Sequence, residues 1–461
     1  MKYQILKTLK TLRLYALEKG YEVAFFYHEE DSHLMRFANS AISLNTNEHL
    51  IRLDITAYQG KKRASYELIT DLEKLDEMKQ GVDIAAEMVK HSMPLTYQPT
   101  IAVFSGSFAD ESAYDPSLAQ LSNEEKLAYF NQVAKELEDE KIRLSGIFSN
   151  GTNIIAQINT KSEHTQYFKT SDTQITAVLT HEDLKWEIIS EQSAQKKSDL
   201  DAAQLHEDLA LLLKLYQKEP PVQLPTGNYS IVFGPAATAD MVHFLNWIGF
   251  NGGLMKRGYS FMTEEKVGKK VFSEKVNLLD DPGRRESFPF QRDFTGIKRT
   301  RYPLFEKGIF KGFVWSQDDA DEFEAEPTGH TVSHMSLVLE GGTRKINTLQ
   351  ELIDMPRDKD ILYIPFLHYM NIVNPTQGLV TASSRFGALL LKNDGSVGIP
   401  FNVRMTQSLL DVFGDKVAWL SKATVVHNTS MSYGARNPTS VIIPRFIQVD
   451  DLEISHSNPS F

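Results

Sequence analysis

The spacing of hydrophobic and polar residues predicts helices and strands in turn through the first half of the chain. Apolar residues recur three and four positions apart over residues 1–19, 71–91 and 199–217, and this period is typical of amphipathic helices. A further helix is predicted over 123–139, where Ser122 and Glu125 form a capping box. Alternating apolar and polar residues predict strands over 23–27, 34–45, 49–58 and 64–69.

A second group of strands is predicted between residues 142 and 179. Segments 146–150, 153–160 and 165–170 alternate in polarity, and Asn150 is followed by Gly151. An Asn-Gly pair between alternating segments is a strong signal for a two-residue hairpin turn. We therefore expect the chain to reverse direction at Gly151.

The segment from Glu219 to Pro225 is the clearest linker in the sequence. Its three prolines remove backbone donors and stiffen the chain, which is typical of a domain boundary. Beyond it, glycine and proline punctuate many short strands, and helices are predicted only over 236–250, 348–354 and 407–413. The predicted fold class is α+β: an α/β sandwich-like domain over 1–218, then a mainly antiparallel, barrel-like domain over 226–461.

Composition narrows the classes of function. The 461 residues carry a formal net charge of -11, which disfavours binding to the phosphates of nucleic acids. The densest basic run, Lys298–Arg301, is interpreted as solvated surface. No cysteine is present, so disulfides and thiolate ligands are excluded. No signal peptide or membrane-spanning run is apparent, and we expect a cytoplasmic protein without a membrane partner.

Histidines are the residues considered as metal ligands. His243 lies on the helix predicted over 236–250, with Asp240 one turn before it and no second histidine one turn after it. His330 and His334 are four residues apart, a spacing that places both on one face. A zinc site needs about three protein ligands. The interpretation favoured for these histidines is packed or surface residues, so we expect no metal cofactor in this chain.

The order of motifs along the chain resembles the TldD/PmbA family, whose members are also called modulators of DNA gyrase. The resemblance rests on these segments: Arg36–Ile42, an apolar strand and helix leading into the loop Gly258–Phe261, the turn Asp280–Gly283, and Asn374–Gly378 followed by Ser384–Ala388. In the zinc-bearing branch of that family, the helix carries His-Glu-x-x-x-His. Here the corresponding residues are His243, Phe244 and Ile248.

The resemblance implies a subunit of the TldE or PmbA type, which lacks zinc and completes the peptide-binding cleft of a TldD-like, zinc-bearing partner. It implies a homodimer or heterodimer whose substrate is an unfolded or leader peptide. The residues expected to contact that peptide are Arg257, Gly258, Tyr259, Ser260, Phe261, Asp280, Asp281, Asn374 and Gly378. Two alternatives stay open: a stand-alone peptide-binding or scaffold protein, and a self-sufficient metallohydrolase that uses His330 and His334.

Overall fold

The computed structural model describes residues 1–287, 290–293, 295–330, 336–429, 436 and 439–458. The helices of these residues are α1 Lys2–Glu18, α2 Leu75–His91, α3 Pro116–Ala119, α4 Asn123–Val133, α5 Ala202–Lys218, α6 Pro235–Ile248, α7 Gly252–Lys256, α8 Gln317–Phe323, α9 Leu349–Asp354 and α10 Leu409–Val412. No helix in the described ranges is both long enough and apolar enough to cross a membrane.

The N-terminal sheet is built from very long antiparallel strands in the order β3-β2-β1-β5-β6-β4, and β7 also pairs with β6. Only β4 and β6 are parallel. The strands are β1 Glu22–Ala38, β2 Ala41–Gln59, β3 Lys62–Thr70, β4 Phe108–Asp110, β5 Ile142–Asn159, β6 Ser162–His181 and β7 Glu187–Ala194.

Helices α1 and α2 cover one face of the N-terminal sheet. Ile5, Leu9 and Leu12 of α1 lie on its buried side, and Val82 and Val89 do the same on α2. Their spacing of three, four or seven residues places each set on one helical stripe, as the sequence pattern predicts. The capping box of Ser122 and Glu125 is present at the start of α4, which ends six residues earlier than expected.

The predicted hairpin at Gly151 is wrong, because β5 runs without interruption from Ile142 to Asn159. Gly151 pairs with Ser32 of β1 on one side and with Asp172 of β6 on the other, so it lies in a central strand. A glycine within a strand often marks a close approach of another group. Here that group is the side chain of Arg436: a Cβ on Gly151 would lie 2.7 Å from its Nε atom.

Two further sheets make up the second half of the chain. The second sheet has the order β11-β10-β9-β12-β21-β20, and the third has the order β14-β15-β18-β22-β8-β13-β16-β17 with β19 paired to β22. Their strands are β8 Gly227–Phe233, β9 Leu278–Asp280, β10 Tyr302–Glu306, β11 Ile309–Phe310, β12 Ser336–Leu339, β13 Ile361–Ile364, β14 Phe366–Asn374, β15 Leu379–Arg385, β16 Leu389–Leu391, β17 Val397–Gly398, β18 Asn402–Ser408, β19 Val417–Leu420, β20 Thr424–Asn428, β21 Ser440–Pro444 and β22 Ile447–Asn458.

The α+β class and the mainly antiparallel second half are confirmed. The parallel pairs there are β12 with β21 and β8 with β13. In the part of the chain that the structure describes, the strand orders leave the sheets open rather than closed into a barrel. The helix expected over 407–413 is a single turn, α10, because β18 continues to Ser408.

The two halves of the chain share a hydrophobic core. One cluster joins α4, α5, β5 and β6 to β13, β16 and Phe446, the residue just before β22. The linker between the halves is largely exposed but held in place, since Val222 exchanges backbone hydrogen bonds of 2.8 and 2.9 Å with Ile399 and Phe401. The boundaries at 218 and 226 stay a prediction.

Candidate functional site

Helix α6 follows β8 through the sharp turn Gly234-Pro235. Proline at the first position of a helix loses no intrahelical hydrogen bond and begins the helix here. A Cβ on Gly234 would lie 2.9 Å from Cα of Pro365, so only glycine lets the two segments pass. The core-facing side of α6 is mainly apolar, and the last residue of the helix, Ile248, belongs to the main hydrophobic cluster of the second half.

The three positions of α6 that match the zinc motif have different surroundings. His243 is exposed, and the centroid of its ring lies 6.2 Å from that of Phe244 and 6.2 Å from that of Trp247. Phe244 packs partly against the core, and Ile248 is only 3% exposed within it. One imidazole and two hydrocarbon side chains do not fit zinc, which needs about three donor ligands. The described residues also contain no cluster of three or more His, Asp or Glu side chains that could hold a metal.

The loop after α7 begins with an arginine that is already paired. Arg257 contacts Asp319 at 2.9 Å and Glu322, and its guanidinium lies 5.0 Å from the ring centre of Phe323. All three partners are on α8. Gly258 follows with φ of +80°, a conformation that favours glycine. Arg257 therefore fixes this loop to α8.

The other members of the loop divide into buried and exposed residues. The hydroxyl of Ser260 donates to the carbonyl oxygen of Ile248 at 2.6 Å and so ties the loop to the end of α6. Phe261 is 2% exposed and lies against Gly378, where a Cβ would be 2.9 Å from its ring. Tyr259, in contrast, is 59% exposed. Tyr259 is thus the loop residue that projects into solvent.

The structure brings the loop Gly258–Phe261 and the segment Asn374–Gly378 together. Asn374 accepts a hydrogen bond from the backbone nitrogen of Thr376 at 3.0 Å and caps a short turn. Gly378 ends that turn with φ of +63° and contacts Phe261. Two segments more than a hundred residues apart in sequence therefore form one surface, at the C-terminal end of α6.

Asp280 forms a separate, buried cluster on β9. Its carboxylate contacts Arg299 at 2.7 and 2.6 Å and Nε2 of His330 at 2.6 Å, and it accepts from the backbone nitrogen of Ser336 at 2.6 Å. Burial alone would raise the pKa of Asp280, but Arg299 and His330 outweigh burial and lower it. Asp281 accepts from the backbone nitrogen of Gly283 at 2.9 Å, as expected for a turn.

The Asp280 cluster bears on two predictions about charged residues. The interpretation of Lys298–Arg301 as solvated surface is wrong for Arg299, which is 2% exposed because Asp280 compensates its charge. His330 is 1% exposed, and its Nε2 faces a carboxylate. His334 lies outside the described residues. Both interpretations of the histidine pair, as packed or surface residues and as metal ligands, therefore stay predictions.

A cavity of about 490 Å³ lies where β7, the starts of α5 and α6, and β20 meet. Glu191 and His427 line it, and their side chains approach to 3.3 Å. Asp208 and Arg445 line it as well and are 3.0 Å apart. The cavity therefore contains two ion pairs between residues of the two halves of the chain.

Asp240 of α6 is coupled to the first of these pairs. Burial raises the pKa of Asp240 to about 6, with Glu191 adding to the effect and His427 opposing it. Burial disfavours protonation of His427, but Glu191 and Asp240 outweigh it and raise the pKa of its imidazole. Sequence reasoning placed Asp240 beside His243 but missed Glu191 and His427, because no local motif links strands this far apart in the chain.

Comparisons with known proteins agree with this architecture. The sequence profile described as the PmbA/TldA metallopeptidase C-terminal domain matches residues 226–456. A protein named Metalloprotease from Methanothermobacter thermautotrophicus is 28% identical over 121 residues, and Metalloprotease MJ0996 from Methanocaldococcus jannaschii is 25% identical over 119. Each match covers 26% of this chain and 26% of the relative.

Solved structures show the same fold over nearly the whole chain. TldE from Thermococcus kodakarensis superposes with a TM-score of 0.80 and 17% identity, covering 96% of this chain and 98% of that one. A putative modulator of a DNA gyrase from Thermotoga maritima superposes with a TM-score of 0.76 and 16% identity, covering 97% and 99%. At these identities the superpositions establish the fold alone.

Proposed function

The chain belongs to the PmbA/TldD family, and on that premise we propose that it is the zinc-lacking subunit of a TldD/TldE-type peptidase. In this proposal the assembly acts on unfolded or leader peptides, and a zinc-bearing sister subunit contributes the metal. This chain supplies part of the surface that binds the peptide. It contributes no general base at position 244 and no second histidine ligand at position 248.

The observation that carries the proposal is the packing of α6. Ile248 is integrated in the core at 3% exposure, and Phe244 also packs against that core. In the zinc-bearing branch, the position of Phe244 holds a carboxylate and the position of Ile248 holds a zinc ligand. Here both side chains pack against the core and stabilise the fold instead. This packing of α6 supports a role as the partner of a zinc-bearing subunit rather than as an independent hydrolase. The name TldE of the structural neighbour agrees with that role.

The exposed part of the surface at the end of α6 is the proposed contribution to the peptide cleft. Tyr259 is 59% exposed, and Asn374 of the adjoining segment is partly exposed. Ser260 ties the loop to the end of α6, and Phe261 packs against Gly378 and so joins the two segments. An aromatic side chain on a rigid base offers a large contact area at a small entropic cost. We therefore assign direct peptide contact to Tyr259 first.

The experiment compares the chain alone with the chain reconstituted with a zinc-bearing family member from the same genome. Cleavage of a quenched fluorescent peptide is measured with and without a chelator, and zinc is determined in each preparation. We expect activity, zinc and chelator sensitivity in the reconstituted sample only. Chelator-sensitive cleavage by the pure chain would overturn the proposal and favour the alternative that uses His330 and His334.

A pair of tyrosine variants locates the contact. Tyr259→Ala should raise KM of the reconstituted enzyme about fivefold or more, since losing an aromatic contact of this kind costs about 1 kcal/mol or more. Tyr3→Ala is the matched control, because Tyr3 is 80% exposed on α1, in the other half of the chain. If the two variants behave alike, Tyr259 is not in the cleft.

A further inference from the structure

The cavity between β7 and β20 has an excess of negative charge. Its acidic lining residues are Glu191, Asp199, Asp201, Asp208 and Glu286. Among the described lining residues, the basic ones are Arg445 and His427. A cleft lined mainly by one sign of charge concentrates the field within it and attracts ligands of the opposite sign. The charge distribution therefore favours a cation.

The cavity also contains a buried amide that lacks partners. Gln195 lines it and is 4% exposed, and both its Nε2 and its Oε1 have no hydrogen-bond partner among the described residues. Buried polar groups in native proteins are nearly always hydrogen-bonded. A side-chain amide needs one acceptor and one donor, and a backbone peptide group offers both. Gln195 thus favours a ligand that carries amide groups.

Part of the remaining wall of the cavity is apolar, alongside the polar residues Ser190, Gln192, Ser193 and Gln204. The apolar part is formed by Leu205, Leu212, Leu349, Tyr363, Pro365 and Phe446. A volume of about 490 Å³ lies within the usual range for pockets that enclose a small ligand, about 300–1,000 Å³. A ligand that satisfies all three features has an amide backbone, a cationic group and an apolar neighbour.

We propose that this cavity binds a short peptide segment through one basic side chain and the adjacent apolar residue. The ammonium or guanidinium group lies among the carboxylates near Glu191 and Asp201, and Gln195 bonds the backbone of the peptide. The site lies at the start of α6, whereas the surface with Tyr259 follows its C-terminal end. The inference rests on the proposed function only in taking the ligand to be a peptide.

The test measures binding to the purified full-length chain without any partner. The probe is a fluorescein-labelled, end-blocked pentapeptide with one lysine between two phenylalanines, followed by fluorescence anisotropy. A second probe has norleucine in place of lysine, which keeps the aliphatic stem and removes the charge. We expect the lysine peptide to bind at least about tenfold more tightly, as is typical of a charge-assisted contact. Its affinity should also fall as salt rises.

Two variants locate the site. Glu191→Gln and the double variant Asp199→Asn with Asp201→Asn keep the side-chain shapes and remove charge, and the amide introduced at position 201 retains an oxygen that can cap α5. Each should reduce the preference for lysine over norleucine about threefold or more. Glu18→Gln is the control, because Glu18 is exposed at the end of α1. Circular dichroism melting confirms that each variant is folded.

Three results would overturn the inference. One is equal affinity for the lysine and norleucine probes, and another is a preference unchanged by both charge-removing variants. The third is competition by free 1,5-diaminopentane at the same concentration as the peptide, which would assign the site to small amines. None of these results depends on a zinc-bearing sister. The inference about the cavity is tested by peptide binding to the chain alone, whereas the proposed function is tested by the activity of the reconstituted enzyme. Failure of one is therefore distinguishable from failure of the other.

Discussion

At the scale of single residues, two arginines, Arg299 and Arg436, are almost fully buried. Arg436 is 1% exposed and donates to Ser32 through Nε at 3.1 Å, and its guanidinium also contacts Asp172. Its backbone nitrogen donates to Glu30 at 2.8 Å. These contacts require a residue without a side chain at position 151, because a Cβ there would clash with Arg436. The glycine that predicts a turn from the sequence therefore allows close packing of Arg436 instead.

Gly151→Ala tests that requirement. The added Cβ would lie 2.5 Å from the carbonyl oxygen of Asp31 and 2.7 Å from Nε of Arg436. We expect the free energy of unfolding to fall by about 1–3 kcal/mol, as in other overpacked cores. Urea unfolding measures it, with Gly106→Ala as control because a Cβ there meets nothing within 4 Å. Equal effects of the two substitutions would contradict the close packing of Arg436.

Arg299 and Arg301 provide a matched comparison within one basic run. Arg299 is buried against Asp280, whereas the side chain of Arg301 is 60% exposed and lies 3.4 Å from Glu340. Arg299→Met leaves a buried carboxylate with less compensation and should cost about 3–5 kcal/mol of unfolding free energy. Arg301→Met should change it by less than about 0.5 kcal/mol. Similar urea midpoints for the two variants would show that the Asp280 cluster does not depend on Arg299.

At the scale of elements, α6 combines a packed face with a titratable one. The pKa of Asp240 is raised to about 6 in the folded protein, mainly by burial, from an ordinary value of 3.8. The folded state therefore holds a proton that the unfolded chain has already released. The resulting stabilisation is complete below about pH 4 and is lost as pH rises through about 6. The groups that face Asp240 are Glu191 and His427.

Asp240→Asn should remove this loss. Above pH 7 we expect the variant to be more stable than the parent by about 1–3 kcal/mol, and the difference should vanish near pH 4. Thermal unfolding across pH 4–8 measures it, and Asp358→Asn is the control because Asp358 is exposed in a loop. A difference that does not vary with pH would show that Asp240 ionises normally.

At the scale of the whole molecule, the two halves are joined by an exposed linker and a shared core. Prolines at 220, 221 and 225 interrupt regular structure, yet Val222 is bonded to Ile399 and Phe401. We expect limited proteolysis to cut first within residues 219–226 and to give fragments of roughly 25 and 27 kDa. They should elute together from a sizing column, because the core cluster that both halves build would hold them. A first cut within 258–283 would contradict the boundary.

The sequence supports prediction where the signal is local. The stripe of α1 and the capping box of Ser122 and Glu125 depend on neighbours within a few residues, and both are confirmed. The pairing of Glu191 with His427 depends on two strands from different halves meeting at the cavity, and no spacing rule encodes it. The same limit explains Gly151, since the residue that determines its role lies near the other end of the chain. The order of motifs in the sequence identified the family. The environment of each motif residue could be described only from the three-dimensional structure.

Arg436 is synthesised late, and that order has a consequence for the nascent chain. Its backbone partner Glu30 precedes it by 406 residues, and its ion-pair partner Asp172 precedes it by 264. A ribosome has released nearly the whole N-terminal sheet before the cation that neutralises Asp172 leaves the exit tunnel. Until then, closing the sheet would bury an uncompensated carboxylate, which is costly. We therefore expect the N-terminal half to reach full stability only after the segment with Arg436 has been synthesised. Truncated products lacking residue 436 should be early targets for chaperones and proteases.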